Sequence, residues 1–274
     1  MSPVTYDSGR IGIDGSGDVS PGVVVSRSGA CLDVRLDRPR NRNALTLQAV
    51  RRLREVLRDH QDDPAVRFVL FSGTGGAFCS GLDLEQVLGP AGDVLAGELV
   101  RLVAQMRKLP KPIVVFVNGD CRAGGMALLC GADVVSAAPL ASFAMVEIRL
   151  GLVPAVLGLL VRDRMTSPTV RRYCLTGESF GVARAVATGL VDEVVDEGTE
   201  TSDVRAQFEV LFGLCAPGAL AATKASLLAA EDGQDFQGSI ADALEISRRA
   251  LVGSEGREGI NAHLERRNPW WASS

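Results

Sequence analysis

The sequence predicts an α/β fold, and three observations carry that prediction. Three apolar runs, 66–72 (VRFVLFS), 113–117 (IVVFV) and 133–137 (DVVSA), read as strands buried on both faces. Helical segments alternate with them, as parallel strands require for their crossovers. Beyond Pro168 the strand signals nearly vanish and apolar residues recur every three to four positions, so a helical C-terminal third follows.

Each element has its own justification. Residues 1–21 mix Ser, Gly, Pro and Asp and lack the basic start and apolar run of a secretory signal, so a loosely ordered tail is expected. Val23-Val24-Val25 and 31–36 (CLDVRL) flank Ser28-Gly29 and predict a hairpin. Thr46 offers an N-cap to a helix reaching Gln61, with Leu47, Val50, Leu53, Val56 and Leu57 on one stripe opposite Arg51, Arg52, Arg54 and Arg58. The strand over 66–72 closes on the turn SGTGG, a long helix over 92–109 leads to the strand 113–117, and a short apolar helix leads to 133–137. Further helices are predicted over 182–188, 204–214, 219–230 and 236–251. The organisation expected is a tail over 1–21, an α/β core over 22–200 and a helical region over 201–274.

Composition excludes several mechanisms. A chain of 274 residues suits one large domain whose core needs neither disulfides nor metal. The 33 acidic and 29 basic residues give a net charge of -4, which offers nucleic acid or an anionic membrane no general attraction. With only His60 and His263, a triad with a central imidazole or a His-rich metal site is disfavoured. Six cysteines without CxxC spacing suit buried free thiols in a reducing, cytoplasmic compartment. The longest apolar stretch, 150–161, contains Pro154 and falls short of the ~20 residues that span a bilayer, so a soluble protein is expected. Walker-type, GxGxxG and GxSxG signatures are all missing.

Two loops and one acid remain as candidates for chemistry. The loop 77–84 (AFCSGLDL) and the loop 118–128 (NGDCRAGGMAL) both follow strand signals. In the second, Gly124-Gly125 opens a short apolar helix whose free N–H groups can meet an oxygen gaining negative charge. In the first, Gly81 lets the backbone come close to a ligand. Gly pairs at strand ends are common, and on spacing alone both loops read as plain tight turns. Glu147 sits in a mainly apolar run, where desolvation would raise its pKa and suit it to carry protons; its other reading is an ion pair with Arg149 or a solvated turn.

Taken in order, RNRNAL (40–45), AFCSGLDL (77–84), KPIVVFVNG (111–119), AGG (123–125), DVV (133–135), FAMVEIRLG (143–151), TGESF (176–180), GLVDEVV (189–195) and EGINAHLERR (258–267) closely resemble the enoyl-CoA hydratase/isomerase, or crotonase, family. The resemblance covers 23–267. It implies a spiral core of ββα units with a helical C-terminal trimerisation region, and a homotrimer or hexamer. It implies an acyl thioester of coenzyme A, or of an acyl carrier protein, as substrate, with coenzyme A entering as part of the substrate and no separate cofactor. It places the N–H groups of Leu82 and Gly124 at the oxyanion hole, Ala77, Ser80, Gly81, Leu82, Asp83, Leu84 and Gly124 against the substrate, and Glu147 as the catalytic glutamate.

The departures matter as well. The second glutamate common in the family's hydratases is Ala127 here, Val146 stands for a frequent Pro, Ala155 for a frequent Gly, and Ala123 for the first Gly of the trio. The implied activity is hydration of an enoyl-CoA; the alternatives are a Δ3,Δ2-enoyl-CoA isomerase working with Glu147 alone and a weakly active acyl-CoA-binding paralogue. Arg122 has three possible partners, namely Asp120, a coenzyme A phosphate, or a carboxylate on the acyl chain such as a 3-methylglutaconyl group would carry.

Overall fold

The computed structural model describes residues 18–20, 22–90, 92–231 and 236–272. Of the tail expected over 1–21, residues 18–20 form a strand, β1 (Asp18–Ser20), and the rest lies outside the described residues. β1 pairs antiparallel with β2 (Gly22–Ser28), which forms the expected hairpin with β3 (Cys31–Asp37) in the register Val23↔Leu36 to Ser28↔Cys31. Thr46 caps α1 (Leu47–His60) by accepting from the Ala49 N–H at 3.1 Å, and the predicted stripe from Val50 to Leu57 faces the core.

From there the chain winds as a spiral. β4 (Phe68–Gly73) turns into β5 (Ala77–Cys79), and the helices α2 (Leu84–Leu88) and α3 (Gly92–Lys108) return it to the start of the next turn. β6 (Ile113–Val117), β7 (Asp120–Arg122) and α4 (Gly124–Cys130) repeat the unit. β8 (Val134–Ala137) and β9 (Ser142–Ala144) begin it again, followed by α5 (Ala155–Leu160), α6 (Ser167–Thr176), β10 (Phe180–Gly181), α7 (Val182–Ala187) and β11 (Glu193–Val194). The first strand of each unit joins a long sheet of order β1-β2-β3-β4-β6-β8-β11, and the second joins a short sheet of order β10-β9-β7-β5. These are the ββα turns that the family resemblance implies. Gly119 makes the stacking of turns possible, since a β-carbon there would collide with the carbonyl of Gly76 in the turn before.

β4 shows why its sequence reads as a continuous apolar run. Val69 and Phe71 point into the main core, whereas Phe68 and Leu70 point to the other face. That outer face is covered by Val204, Phe208 and Phe212 of α8 (Thr201–Gly213), with the Phe68 and Phe212 ring centroids 5.4 Å apart. Burial on both faces removes the alternation that a half-exposed strand would show.

Three more helices follow: α9 (Pro217–Glu231), α10 (Phe236–Val252) and α11 (Ser254–Glu265). Arg67 fastens the end of α8 to the start of β4 by donating to the carbonyls of Phe212 (3.1 Å) and Cys215 (2.5 Å). Lys224 fastens α9 by donating to the carbonyls of Met106 and Lys111 and to Asp133 at 2.6 Å. Among the described residues no single helix is long and apolar enough to cross a membrane.

Candidate active site

β5, β7 and β9 are parallel neighbours in the short sheet, in the register Cys79↔Cys121, Cys121↔Phe143 and Arg122↔Ala144. Their carboxyl ends therefore lie side by side, about 4.8 Å from strand to strand. Leu82 follows the end of β5, Gly124 the end of β7 and Glu147 the end of β9. The topology thus gathers three candidates that the sequence holds dozens of residues apart.

The first loop is shaped from outside, by the segment 41–45. Asn43, 1% exposed, accepts from the Arg38 N–H at 2.8 Å and donates to the carbonyls of Thr74 (3.0 Å) and Ala77 (2.8 Å). The Ser80 N–H donates to the Arg42 carbonyl, the Leu45 N–H to the Gly81 carbonyl at 2.8 Å, and the Asp83 N–H to the Leu45 carbonyl at 2.9 Å. These last two bonds pair Leu82 with Leu45 as a short parallel bridge. In such a bridge the paired residue's own N–H points to the opposite side. The Leu82 N–H has no acceptor among the described residues.

Several residues that the family resemblance places against the substrate also hold this frame together. Asp83, 8% exposed, pairs with Arg38 at 2.9 Å and caps α2 by accepting from the Gln86 N–H. Ala77 is buried, and its carbonyl is held by Asn43. Gly81 has φ +100°, and a β-carbon on it would lie 2.9 Å from the Ala123 methyl and 3.2 Å from the Gly124 nitrogen. The room it leaves is therefore filled by the second loop, a packing reason for glycine beside the expected one of ligand approach. Ser80 is partly exposed and Leu84 half exposed.

The second loop is anchored to the neighbouring strand. The Ala123 N–H donates to the Ala144 carbonyl at 3.0 Å, and the Ala123 carbonyl accepts from Met126 at 2.9 Å. Gly124 is the first residue of α4, so its N–H is one that the helix cannot satisfy, and it has no acceptor among the described residues. The β-carbon position of Gly124 lies 3.4 Å from the Leu82 nitrogen. Two free N–H groups from separate loops thus start beside one another. Because α4 spans only seven residues, these N–H groups themselves, rather than a long helix dipole, supply the local positive potential.

Of the three roles open to Arg122, the structure shows the pair with Asp120, at 3.1 Å. The same guanidinium donates to Ser142 Oγ (2.7 Å) and to the Ser142 carbonyl (2.5 Å), so it latches β7 to β9.

Glu147 lies in a 3-10 turn, Val146–Leu150, directly after β9. The ion pair with Arg149 is not formed, because Arg149 donates to the Thr176 carbonyl at 3.2 Å. Glu147 Oε2 is buried and has no hydrogen-bond partner among the described residues. Burial accordingly pushes the carboxyl pKa above the ordinary range, against a smaller opposing pull from its own backbone N–H. The half-buried Cys174 thiol is raised by burial and by the nearby Glu147 charge, and its sulfur lies 3.3 Å from Met145 Sδ. Sequence reasoning named Glu147 but missed Cys174, which lies 27 positions later and comes near it through tertiary packing. Among the described residues no three His, Cys, Asp or Glu side chains converge as a metal-binding group.

A family model for enoyl-CoA hydratase/isomerase matches residues 26–274. The chain belongs to the enoyl-CoA hydratase/isomerase family. It is 30% identical over 263 residues to a carnitinyl-CoA dehydratase of Proteus mirabilis, covering 92% of this chain and 99% of that protein. It is 27% identical to the mitochondrial enoyl-CoA hydratase domain-containing protein 3 of Danio rerio, over 94% of this chain and 90% of the relative. Among solved structures, an enoyl-CoA hydratase/isomerase from Marinobacter aquaeolei superposes with a TM-score of 0.86 at 30% identity, covering 93% of this chain and all of the other. Pseudomonas aeruginosa AtuE superposes with a TM-score of 0.86 at 32% identity, covering 92% of this chain and all of the other. The crotonase-like spiral is therefore shared over nearly the whole length. For a member of the enoyl-CoA hydratase/isomerase family, the departure at Ala127 takes a definite physical form: the residue is 2% exposed and belongs to the apolar core of α4.

Proposed function

We propose that the chain is an enoyl-CoA hydratase that adds water to, or removes it from, an α,β-unsaturated acyl-CoA, with a single carboxyl handling the protons. The observation that carries this reading is the pair of unengaged N–H groups, Leu82 and Gly124, at adjacent strand ends beside the strand that leads to a desolvated Glu147. The thioester carbonyl would accept from both N–H groups. The Glu147 carboxylate would take a proton from water as the water oxygen bonds to the β-carbon, and the charge that develops would sit on the carbonyl oxygen as an enolate. The Glu147 carboxylic acid would then return that proton to the α-carbon, leaving the 3-hydroxyacyl thioester and a restored carboxylate. The dehydratase names of relatives agree in direction of chemistry.

A second reading is favoured by Ala127. With no second carboxylate to place the water, Glu147 alone can remove a proton from the α-carbon of a 3-enoyl-CoA and return it to the γ-carbon, giving the conjugated isomer. The two readings separate in one assay series. Water uptake by crotonyl-CoA supports hydration; conjugation of a 3-enoyl-CoA without water uptake on crotonyl-CoA overturns it in favour of isomerisation.

The assembly proposed is a homotrimer, or a hexamer of two trimers, built through the C-terminal helices. Exposed Leu211 on α8, Leu214 just past its end, Leu227 on α9 and Leu264 on α11 support it. A monomer by light scattering at micromolar concentration would contradict it.

A further inference from the structure

Among the described non-glycine residues only Arg42, Asn43, Ala123 and Arg266 have positive φ. Arg42 (φ 49°, ψ 41°) and Arg266 (φ 55°, ψ 41°) lie in the ordinary left-handed basin, and Asn43 is of a residue type enriched there. Ala123 is different. Its φ of 47° is combined with a ψ of -123°, a conformation that glycine adopts freely and a β-carbon opposes.

What holds it there is over-determined. Its N–H is bonded to Ala144 at the end of β9 (3.0 Å), its carbonyl to Met126 in the first turn of α4 (2.9 Å), and its methyl faces Gly81. The ψ of Ala123 rotates the rigid peptide plane that carries the Gly124 N–H, so this one dihedral aims that donor. The methyl, meanwhile, abuts Gly81, the residue directly before the other donor, Leu82. One small side chain thus touches the segment bearing one N–H while its backbone directs the second. A glycine could reach the same dihedrals without strain, but it would lose the methyl and gain the freedom to leave them.

We propose that Ala123 is a positioning residue whose methyl, set against Gly81, fixes the separation and direction of the Leu82 and Gly124 N–H groups, and whose strained backbone would relax in the glycine variant. The proposal rests on the reading that these two groups receive the thioester carbonyl. Structure alone would make Ala123→Gly a plain stabilising change; positioning makes it a stabilising change that damages turnover.

The test compares wild type, Ala123→Gly and Ala123→Ser. Ala123→Gly is expected to raise the thermal midpoint by about 2–4 °C. It is expected to lower kcat on the active enoyl-CoA about tenfold while KM stays within about twofold. Ala123→Ser, which keeps a β-carbon, is expected to hold kcat within about threefold of wild type. The carbonyl stretch of a bound enoyl-CoA, read by difference infrared in a Glu147→Gln background so that turnover does not interfere, adds a direct readout. The stretch is expected below the free-thioester frequency with Ala123 present, and closer to it in Ala123→Gly. A lowered stretch that is equal in both proteins, an unchanged kcat, or a lower midpoint for Ala123→Gly overturns the proposal and leaves the carbonyl-binding reading standing. A stretch at the free-thioester frequency in both proteins overturns that reading as well.

Discussion

The two sheets of this molecule divide its labour. The long sheet builds strands of up to seven residues, and in β4 and β6 every residue is buried. The short sheet has strands of two or three residues, yet the ends of β5, β7 and β9 lead to every residue of the candidate site. Apolar side chains bury both faces of the long sheet at β4, whereas the strand ends of the short sheet are fixed in addition by single hydrogen bonds, from the Ala123 N–H to Ala144 and from Asn43 to the Ala77 carbonyl. Stability and chemistry can accordingly be damaged separately, and substitutions in the two sheets should show it.

The largest effect on stability is expected in the long sheet. Phe71, fully buried between sheet and helices, should cost about 3–5 kcal/mol when replaced by alanine, read as a shift in the denaturation midpoint. Such enzyme as stays folded should keep its specific activity. The converse is Gly81→Ala, which crowds Ala123 and the Gly124 nitrogen. It should lower kcat by about 10²–10³, as loss of one oxyanion donor does, with a far smaller change in midpoint.

Asn43→Ala lies between the two. It leaves the carbonyls of Thr74 and Ala77 and the Arg38 N–H without their partner, which should cost about 1–3 kcal/mol and slacken the first loop. Parallel losses of midpoint and kcat are the expected signature; a change in midpoint alone would show that the loop holds its shape without Asn43. Smallest is Arg122→Gln, expected to cost about 1 kcal/mol by loosening the latch between β7 and β9, with little change in KM. A KM for the enoyl-CoA raised tenfold or more would instead give Arg122 a role at the substrate.

The same division governs what could be read from the sequence. The hairpin of β2 and β3, the helix α1 with its Thr46 cap, and β4 and β6 were legible because each repeats a pattern over five or more residues. The strands β5, β7, β9 and β10 are too short to show a period, and the second sheet was legible only through the family resemblance. Within the site, Gly124 and Glu147 stood out from their neighbours in sequence, whereas Leu82 was named only through the family resemblance. The pairing of Asp83 with Arg38, 45 residues earlier, was not legible, because an aspartate in a loop carries no mark of a distant partner. Nor was the strain at Ala123, since alanine is the residue least expected to signal a glycine-like backbone.

Glu147 offers the most direct test, because burial raises its pKa and the carboxylate form is the one that accepts a proton from water. A raised pKa means that the folded site loses the carboxylate sooner as pH falls, so hydration should decline on the acid side at a pH above the usual carboxylate range. The decisive measurement is kcat for crotonyl-CoA hydration against pH, in wild type and Glu147→Gln, alongside enoyl-CoA affinity. The expected result is a loss of about 10²–10⁴ in kcat with binding retained and the acid limb abolished. Equal kcat in the two proteins, with the acid limb unchanged, would contradict Glu147 as the proton carrier.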